Sequence, residues 1–290
     1  MHNPSRIPIG VYEKAFPDEL SWPERLEWTA RAGYDFLDIS IDESDARLAR
    51  LDYAPSERAA LREAVGQSGI PIQVLGLSCH RRFPLGSASP ETRARGLDIL
   101  RRAVDWAADI GTKIIQVMGY DVFYEANDAG TAARYLEGIV QGAHWAGSAG
   151  MMLGLENVDV QFVDNVEKAL HFVREIDSPW LQVFPDIGNM AAAGYDPIQQ
   201  LPLAKGRIVA VHVKDVRPGQ VRGVPMGQGI VDFEKVFPVL AGLGFWGPVT
   251  VEMWAHLHPV GEPFENAVNA RHFVDQFISS AWKYDGAGND

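Results

Sequence analysis

Four side chains able to hold a metal ion each close a short apolar run. They are Glu156 in Leu155-Glu156-Asn157, Asp186 in Phe184-Pro185-Asp186, His212 in Val211-His212-Val213-Lys214-Asp215 and Glu252 in Val251-Glu252-Met253-Trp254. Each lies about one strand-plus-helix unit from the next, so four neighbouring strands would deliver them to one rim. Three carboxylates and one imidazole suit a single divalent ion of intermediate hardness: manganese, zinc, magnesium or cobalt. The lack of clustered thiols argues against a tight structural zinc site. A lone carboxylate in such a place is more often a helix N-cap or an ion-pair partner, but four at consecutive strand ends favour function.

The elements that must position them are legible as alternation. Apolar, β-branched runs at Ile7 to Val11, Phe36 to Ile41, Ile72 to Leu77, Lys113 to Met118, Met152 to Leu155, Leu181 to Phe184, Ile208 to Val213 and Val249 to Glu252 predict eight strands. Helical periodicity lies between them near 21–32, 56–68, 90–110, 129–149, 165–176, 232–243 and 263–282. The connection from Asn189 to Arg207 is only weakly helical because Gly194, Pro197 and Pro202 interrupt it. Ser89 before Pro90 predicts an N-cap, and Gly33, Gly69 and Gly111 predict left-handed helix ends. Repeated βα units imply a parallel sheet. An open doubly wound sheet normally shows a glycine-rich turn after its first strand, whereas Tyr12-Glu13-Lys14-Ala15 has no glycine. The expectation is therefore an α/β fold, a single (β/α)8 TIM barrel over residues 1–284 with a disordered tail at 285–290. In such a barrel, polar residues at the C-terminal strand ends form the active site.

Composition removes several function classes. The chain has 290 residues and a formal net charge of −12, with no basic stripe for a nucleic-acid backbone. No apolar stretch is long enough to span a membrane. One cysteine, Cys79, cannot form an internal disulfide, and no secretory pattern opens the sequence, so the expected compartment is cytoplasmic.

Longer motifs carry a family resemblance. Gly10-Val11-Tyr12-Glu13-Lys14-Ala15, Ser40-Ile41-Asp42-Glu43-Ser44-Asp45, His80-Arg81-Arg82-Phe83-Pro84, Gly119-Tyr120-Asp121-Val122-Phe123-Tyr124-Glu125, Pro185-Asp186-Ile187-Gly188-Asn189 and Val251-Glu252-Met253-Trp254 are the relevant segments. Over nearly its whole length the chain resembles the 3-epimerases that interconvert L-xylulose 5-phosphate and L-ribulose 5-phosphate, within the xylose-isomerase-like barrels. The resemblance implies that Glu156, Asp186, His212 and Glu252 bind one divalent metal, and that Glu156 and Glu252 double as acid and base. Leu155-Glu156-Asn157-Val158-Asp159 departs from a Glu-Ile-Met-Asp-Thr-like run, which keeps the ligand and leaves the contacts after it open.

The implied chemistry is internally consistent. A hydrogen beside a ketone is too weakly acidic for an unaided carboxylate, so a metal on the C2 and C3 oxygens would stabilise the resulting cis-enediolate. Inversion then needs proton donors on both faces, and strands five and eight, separated by the strands of Asp186 and His212, can supply them. His80, Arg81 and Arg82 are candidates for phosphate or substrate contact, since guanidinium forks match phosphate oxygens. Glu13, Lys14, Tyr120 with Asp121, Arg222 and Trp254 are further candidate substrate-binding residues. The partner expected is a small sugar or sugar phosphate, with no nucleic acid and no membrane. The sequence is silent on oligomeric state, although similar proteins commonly assemble as homo-oligomers. Rival readings are a 3-epimerase of free ketoses, an aldose–ketose isomerase, an inosose-type dehydratase, a metal-dependent endonuclease disfavoured by the acidic balance, and a degenerate sugar-binding barrel.

Overall fold

The computed structural model describes residues 7–257 and 261–282. The expected tail lies outside the described residues. Along the chain run β1 (Ile9–Tyr12), α1 (Trp22–Arg31), β2 (Phe36–Ser40), α2 (Asp45–Leu48), α3 (Pro55–Ser68), β3 (Ile72–Gly76), α4 (Pro90–Ile110), β4 (Ile114–Met118) and α5 (Thr131–Ser148). There follow β5 (Met152–Glu156), α6 (Val166–Ile176), β6 (Leu181–Phe184), α7 (Ile187–Ala192), α8 (Pro197–Gln200), β7 (Val211–Val213), β8 (Asp215–Arg217), β9 (Gln220–Val224), α9 (Phe233–Gly242), β10 (Val249–Val251) and α10 (Pro263–Ala281).

Eight strands make one parallel sheet in the order β6-β5-β4-β3-β2-β1-β10-β7. The two ends meet through bridges from Val183 to Ile208 and from Asp186 to His212, which close the barrel. Expected and observed strands coincide in place, but the seventh is shorter, because Ile208 joins its neighbour only through the isolated bridge.

Strand pleating divides the barrel into two chemistries. Successive side chains of a strand point to opposite faces, and here the odd-numbered strand residues face outward. Val11, Leu37, Ile39, Leu75, Ile115, Val117, Leu153, Leu155, Val183, Val211, Val213, Val249 and Val251 belong to the large core under the helices. The even-numbered residues face the barrel axis, except Ile72, which joins the outer core where the β2–β3 register shifts. Phe36, Val74, Ile114, Phe184 and Ala210 form a separate apolar plug. Gly10 leaves room for one of its rings, since a Cβ there would lie 2.1 Å from Phe36. Further along the same faces come Asp38, Gln116, Glu156, Asp186, His212 and Glu252.

Helix ends follow local chemistry. Ser89 accepts a hydrogen bond from Thr92 N ahead of Pro90, while Gly69 and Gly111 end α3 and α4 with φ of 70° and 87°. Gly33, after α1, also has positive φ. The weakly helical sixth connection contains two short helices, α7 and α8, around Gly194. A two-stranded antiparallel hairpin, β8–β9, was not anticipated; Arg222, expected in a glycine loop, sits on its second strand. Trp180 and Trp246 are substantially exposed.

Candidate active site

Glu156 is the last residue of β5, and its carbonyl accepts from Gly119 N beyond β4. Asp186 follows β6 and is gripped on both sides of its peptide by Asn157. Asn157 Oδ1 accepts from Asp186 N at 2.8 Å, and Asn157 Nδ2 donates to Asp186 O at 3.0 Å. Asp186 serves two purposes, because its Oδ1 caps α7 by accepting from Asn189 N at 2.9 Å while Oδ2 is turned elsewhere. The N-cap and functional readings of this aspartate thus coexist in one carboxylate.

Donor atoms of Glu156, Asp186 and His212 lie within 4.8 Å of one another, and all three residues are buried. Glu252 falls outside that grouping. Its Oε2 is 3.8 Å from His212 Nδ1 and accepts from Lys214 Nζ at 2.6 Å. Lys214 Nζ also donates to Asp186 Oδ2 at 2.6 Å, so one ammonium joins two of the four expected ligands.

His212 is oriented from behind. Its Nε2 is 2.9 Å from Asp38 Oδ2, and Gln116 Nε2 lies 3.3 Å from its Nδ1. With Nε2 held by Asp38, Nδ1 is the ring nitrogen turned toward Glu156 Oε1, 3.3 Å away, and loss of its proton would free it to bind a metal. A carboxylate behind a ligating histidine fixes tautomer and ring orientation. Asp38→Asn is therefore expected to weaken divalent-metal binding by about 10–100-fold. Metal titration and ring-nitrogen NMR of His212 check this, and unchanged affinity would assign Asp38 to packing alone.

The electrostatics favour a cation. Three buried carboxylates, Asp38, Glu156 and Asp186, and the half-buried Glu252 share one space compensated locally by Lys214 and His212. Burial pushes the Glu156 carboxyl up to about 7 despite its contact with His212. Burial likewise raises Asp186, with Lys214 opposing it. Burial acts in the same sense on Glu252, but Lys214 and His212 outweigh it and hold that carboxyl near 2. The His212 imidazole is raised well above its ordinary range, because its bonds to Asp38 and Glu156 overcome burial. Oxygen donors with one nitrogen and surplus buried negative charge fit a divalent ion of intermediate hardness.

The remaining expected residues divide. Arg81 donates from Nε and Nη2 to Tyr120 Oη at 3.1 and 2.6 Å, so the two form one unit. Arg222 pairs with Asp159 at 3.1 Å and lies 5.5 Å over the Trp254 ring. Trp254 meets Tyr12 edge to face at 6.0 Å, and Tyr12 approaches the His212 ring at 6.3 Å, which ties this wall to the Glu156–Asp186–His212 cluster. Lys14 pairs with Asp42 at 2.5 Å. It lines a cavity of about 490 Å³ together with Asp18, Glu19, Asp42, Ser44, Arg47 and His256.

Three expected substrate contacts point elsewhere. Glu13 is fully buried and accepts from Arg50, Arg47 and Ser40. Those arginines override the effect of burial and hold its carboxyl near 2, so Glu13 pins the segments beneath the rim. His80 is buried with Nε2 3.3 Å from Gly96 O of α4, and burial lowers its imidazole to about 4. Arg82 is exposed and paired with Asp45 at 2.6 Å. In each case a partner outside the barrel axis captured the side chain. Asp38, Gln116 and Lys214 were missed, although the signal was available: each shares the even-numbered, inward parity of the four expected ligands.

The xylose isomerase-like TIM barrel family matches residues 26–275. Over 276 residues the chain is 41% identical to the L-ribulose-5-phosphate 3-epimerase UlaE of Salmonella paratyphi B, covering 95% of this chain and 96% of that protein. The chain belongs to the L-ribulose-5-phosphate 3-epimerase family. A second member, from Salmonella paratyphi A, is 40% identical over 282 residues, with 97% and 99% of the two chains covered. Among solved structures, the family's fold is shared by D-allulose 3-epimerase from Methylomonas sp. in complex with D-allulose, with TM-score 0.80, 19% identity and coverage of 94% and 98%. An L-ribulose 3-epimerase gives TM-score 0.80 at 19% identity, covering 95% of each chain. Family membership accounts for the barrel as no single motif does.

Proposed function

We propose that the protein is a divalent-metal-dependent 3-epimerase of a ketopentose phosphate, interconverting L-xylulose 5-phosphate and L-ribulose 5-phosphate. The observation that carries this reading is the placement of Glu156 and Glu252 on either side of Asp186 and His212, on four adjoining staves of the barrel. The 41% identical relative supports the choice of substrate class.

Glu156, Asp186, His212 and Glu252 would hold the ion, with manganese, zinc, magnesium and cobalt all compatible with these donors. When bound, a divalent ion supplies Lewis-acid stabilisation of the charge that develops on the ketone oxygen. The chain's own residues do the rest. One glutamate removes the C3 proton from one face, giving a cis-enediolate of the sugar, and the other returns a proton to the opposite face. In the reverse direction the roles exchange. Asp38 and Gln116 hold the imidazole in one orientation, while Tyr12 and Trp254 wall the site.

The phosphate is assigned to Arg81, whose guanidinium is held by the Tyr120 hydroxyl. That partner is a neutral hydroxyl, whereas Lys14 pairs with Asp42, Arg47 with Glu13, Asp18 and Asp42, and Arg82 with Asp45. Arg81→Ala is expected to raise KM for the phosphate ester about tenfold or more, as for loss of a charge-assisted hydrogen bond, with little change for the free ketose. A larger selective effect from Lys14→Ala would move the phosphate to the opposite flank.

Proton NMR in heavy water tests the whole reading. Metal-supplemented protein incubated with L-ribulose 5-phosphate should incorporate deuterium at C3 and produce the second epimer. Exchange confined to free ketoses would retain the chemistry and remove the phosphate assignment. Absence of exchange from every ketose would overturn the epimerase reading in favour of a dehydratase.

A further inference from the structure

Lys214 is buried, lies two residues beyond His212 on the same inner face, and places its ammonium 2.6 Å from both Asp186 Oδ2 and Glu252 Oε2. The position is built around its stem. Gly188, at the start of α7, packs so closely that a Cβ there would lie 2.4 Å from Lys214 Cγ and 2.9 Å from Lys214 O. Beyond the stem, the ammonium lies 5.5 Å from the centre of the Trp254 ring.

We propose that Lys214 is a positioning residue that shares Asp186 and Glu252 with the divalent ion and fixes which oxygen of Glu252 serves in proton transfer. Both the Lys214 bond and the 3.8 Å approach of His212 end on Oε2, which leaves Oε1 for the substrate. A carboxylate held by one oxygen cannot rotate freely, and proton transfer is sensitive to such alignment. The fixed positive charge beside two metal ligands also repels a second cation. Lys214 thus trades metal affinity for the orientation of Glu252. The kinetic part of this inference rests on the 3-epimerase reading; the metal-binding part does not.

The test compares wild type, Lys214→Met and Lys214→Arg by Mn²⁺ titration calorimetry and by C3 epimerisation at saturating Mn²⁺. Lys214→Met should bind Mn²⁺ at least tenfold more tightly, because a competing cation is gone. Its kcat should fall by 100-fold or more while KM stays within threefold. Lys214→Arg keeps the charge and should stay within threefold of wild type in Mn²⁺ affinity, with part of kcat retained. A merely structural lysine would show the opposite sign, with Lys214→Met binding Mn²⁺ equally or more weakly, and that result overturns the proposal. An undiminished kcat overturns it as well. If Lys214→Met folds only with Mn²⁺ present, the ion is replacing the ammonium and the proposal stands; failure to fold even with Mn²⁺ sinks it. Wild-type protein that binds Mn²⁺ but epimerises no ketose would remove the 3-epimerase reading and leave the affinity comparison intact.

Discussion

Glu156→Gln and Glu252→Gln should each reduce epimerisation by about 10³-fold or more, within the upper range for loss of a positioned acid or base. The amide keeps the shape and an oxygen ligand but can neither take nor hold the proton. Inversion needs both faces served, so neither variant can complete it alone. Each should nevertheless exchange the C3 proton of one epimer with solvent, through the glutamate that remains. The two variants should therefore wash deuterium into opposite epimers, without conversion between them. Separate heavy-water NMR time courses on the two ketose phosphates make this visible, with metal content measured in parallel. Both variants exchanging both epimers would rule out the two-face assignment, because a single base would then suffice. Loss of all exchange with full metal content would mean that the glutamates act together on one face.

Removal of divalent metal by a chelator should bring activity down to the uncatalysed level, and re-addition should restore it. The pH dependence of loading carries a sign fixed by the site. His212 is raised above its ordinary range by Asp38 and Glu156, and Glu156 sits near 7 through burial, so both hold protons that a metal must displace. Metal binding should release protons near neutral pH, and apparent affinity should rise as pH increases through about 7. Calorimetry in buffers of different ionisation enthalpy reads the released protons directly. Affinity that is flat from pH 6 to 8 would show that neither group is a ligand.

Glu252 belongs to a different electrostatic class from Glu156, although the two are the same residue type at equivalent strand ends. Lys214 holds Glu252 ionised, while Glu156 is dominated by burial. A bound divalent ion would act on both, but it would start from this asymmetry. The deuterium wash-in experiment therefore also reports whether the two glutamates contribute unequally.

Much of this was available in the sequence, for a local reason. Strand and helix periodicity, the Ser89-Pro90 start and the glycines after α1, α3 and α4 are short-range properties of the chain. Eight repeats of them leave few ways to bury the apolar faces. The four ligand candidates were visible because barrel topology turns strand order into a ring, so that regular spacing becomes convergence. What the sequence could not decide was the partner each long polar side chain would take. Arg81 went to Tyr120, Arg82 to Asp45, Glu13 to Arg47 and Arg50, and His80 to the carbonyl of Gly96. Those choices depend on residues far away in the chain and on burial, neither of which has a local signature. The same holds for the Asp38–His212 contact, which joins residues on β2 and β7, and for Lys214 spanning Asp186 and Glu252. Inner-face parity, a sequence property, set which residues could reach the barrel axis; tertiary packing alone decided which of them met there.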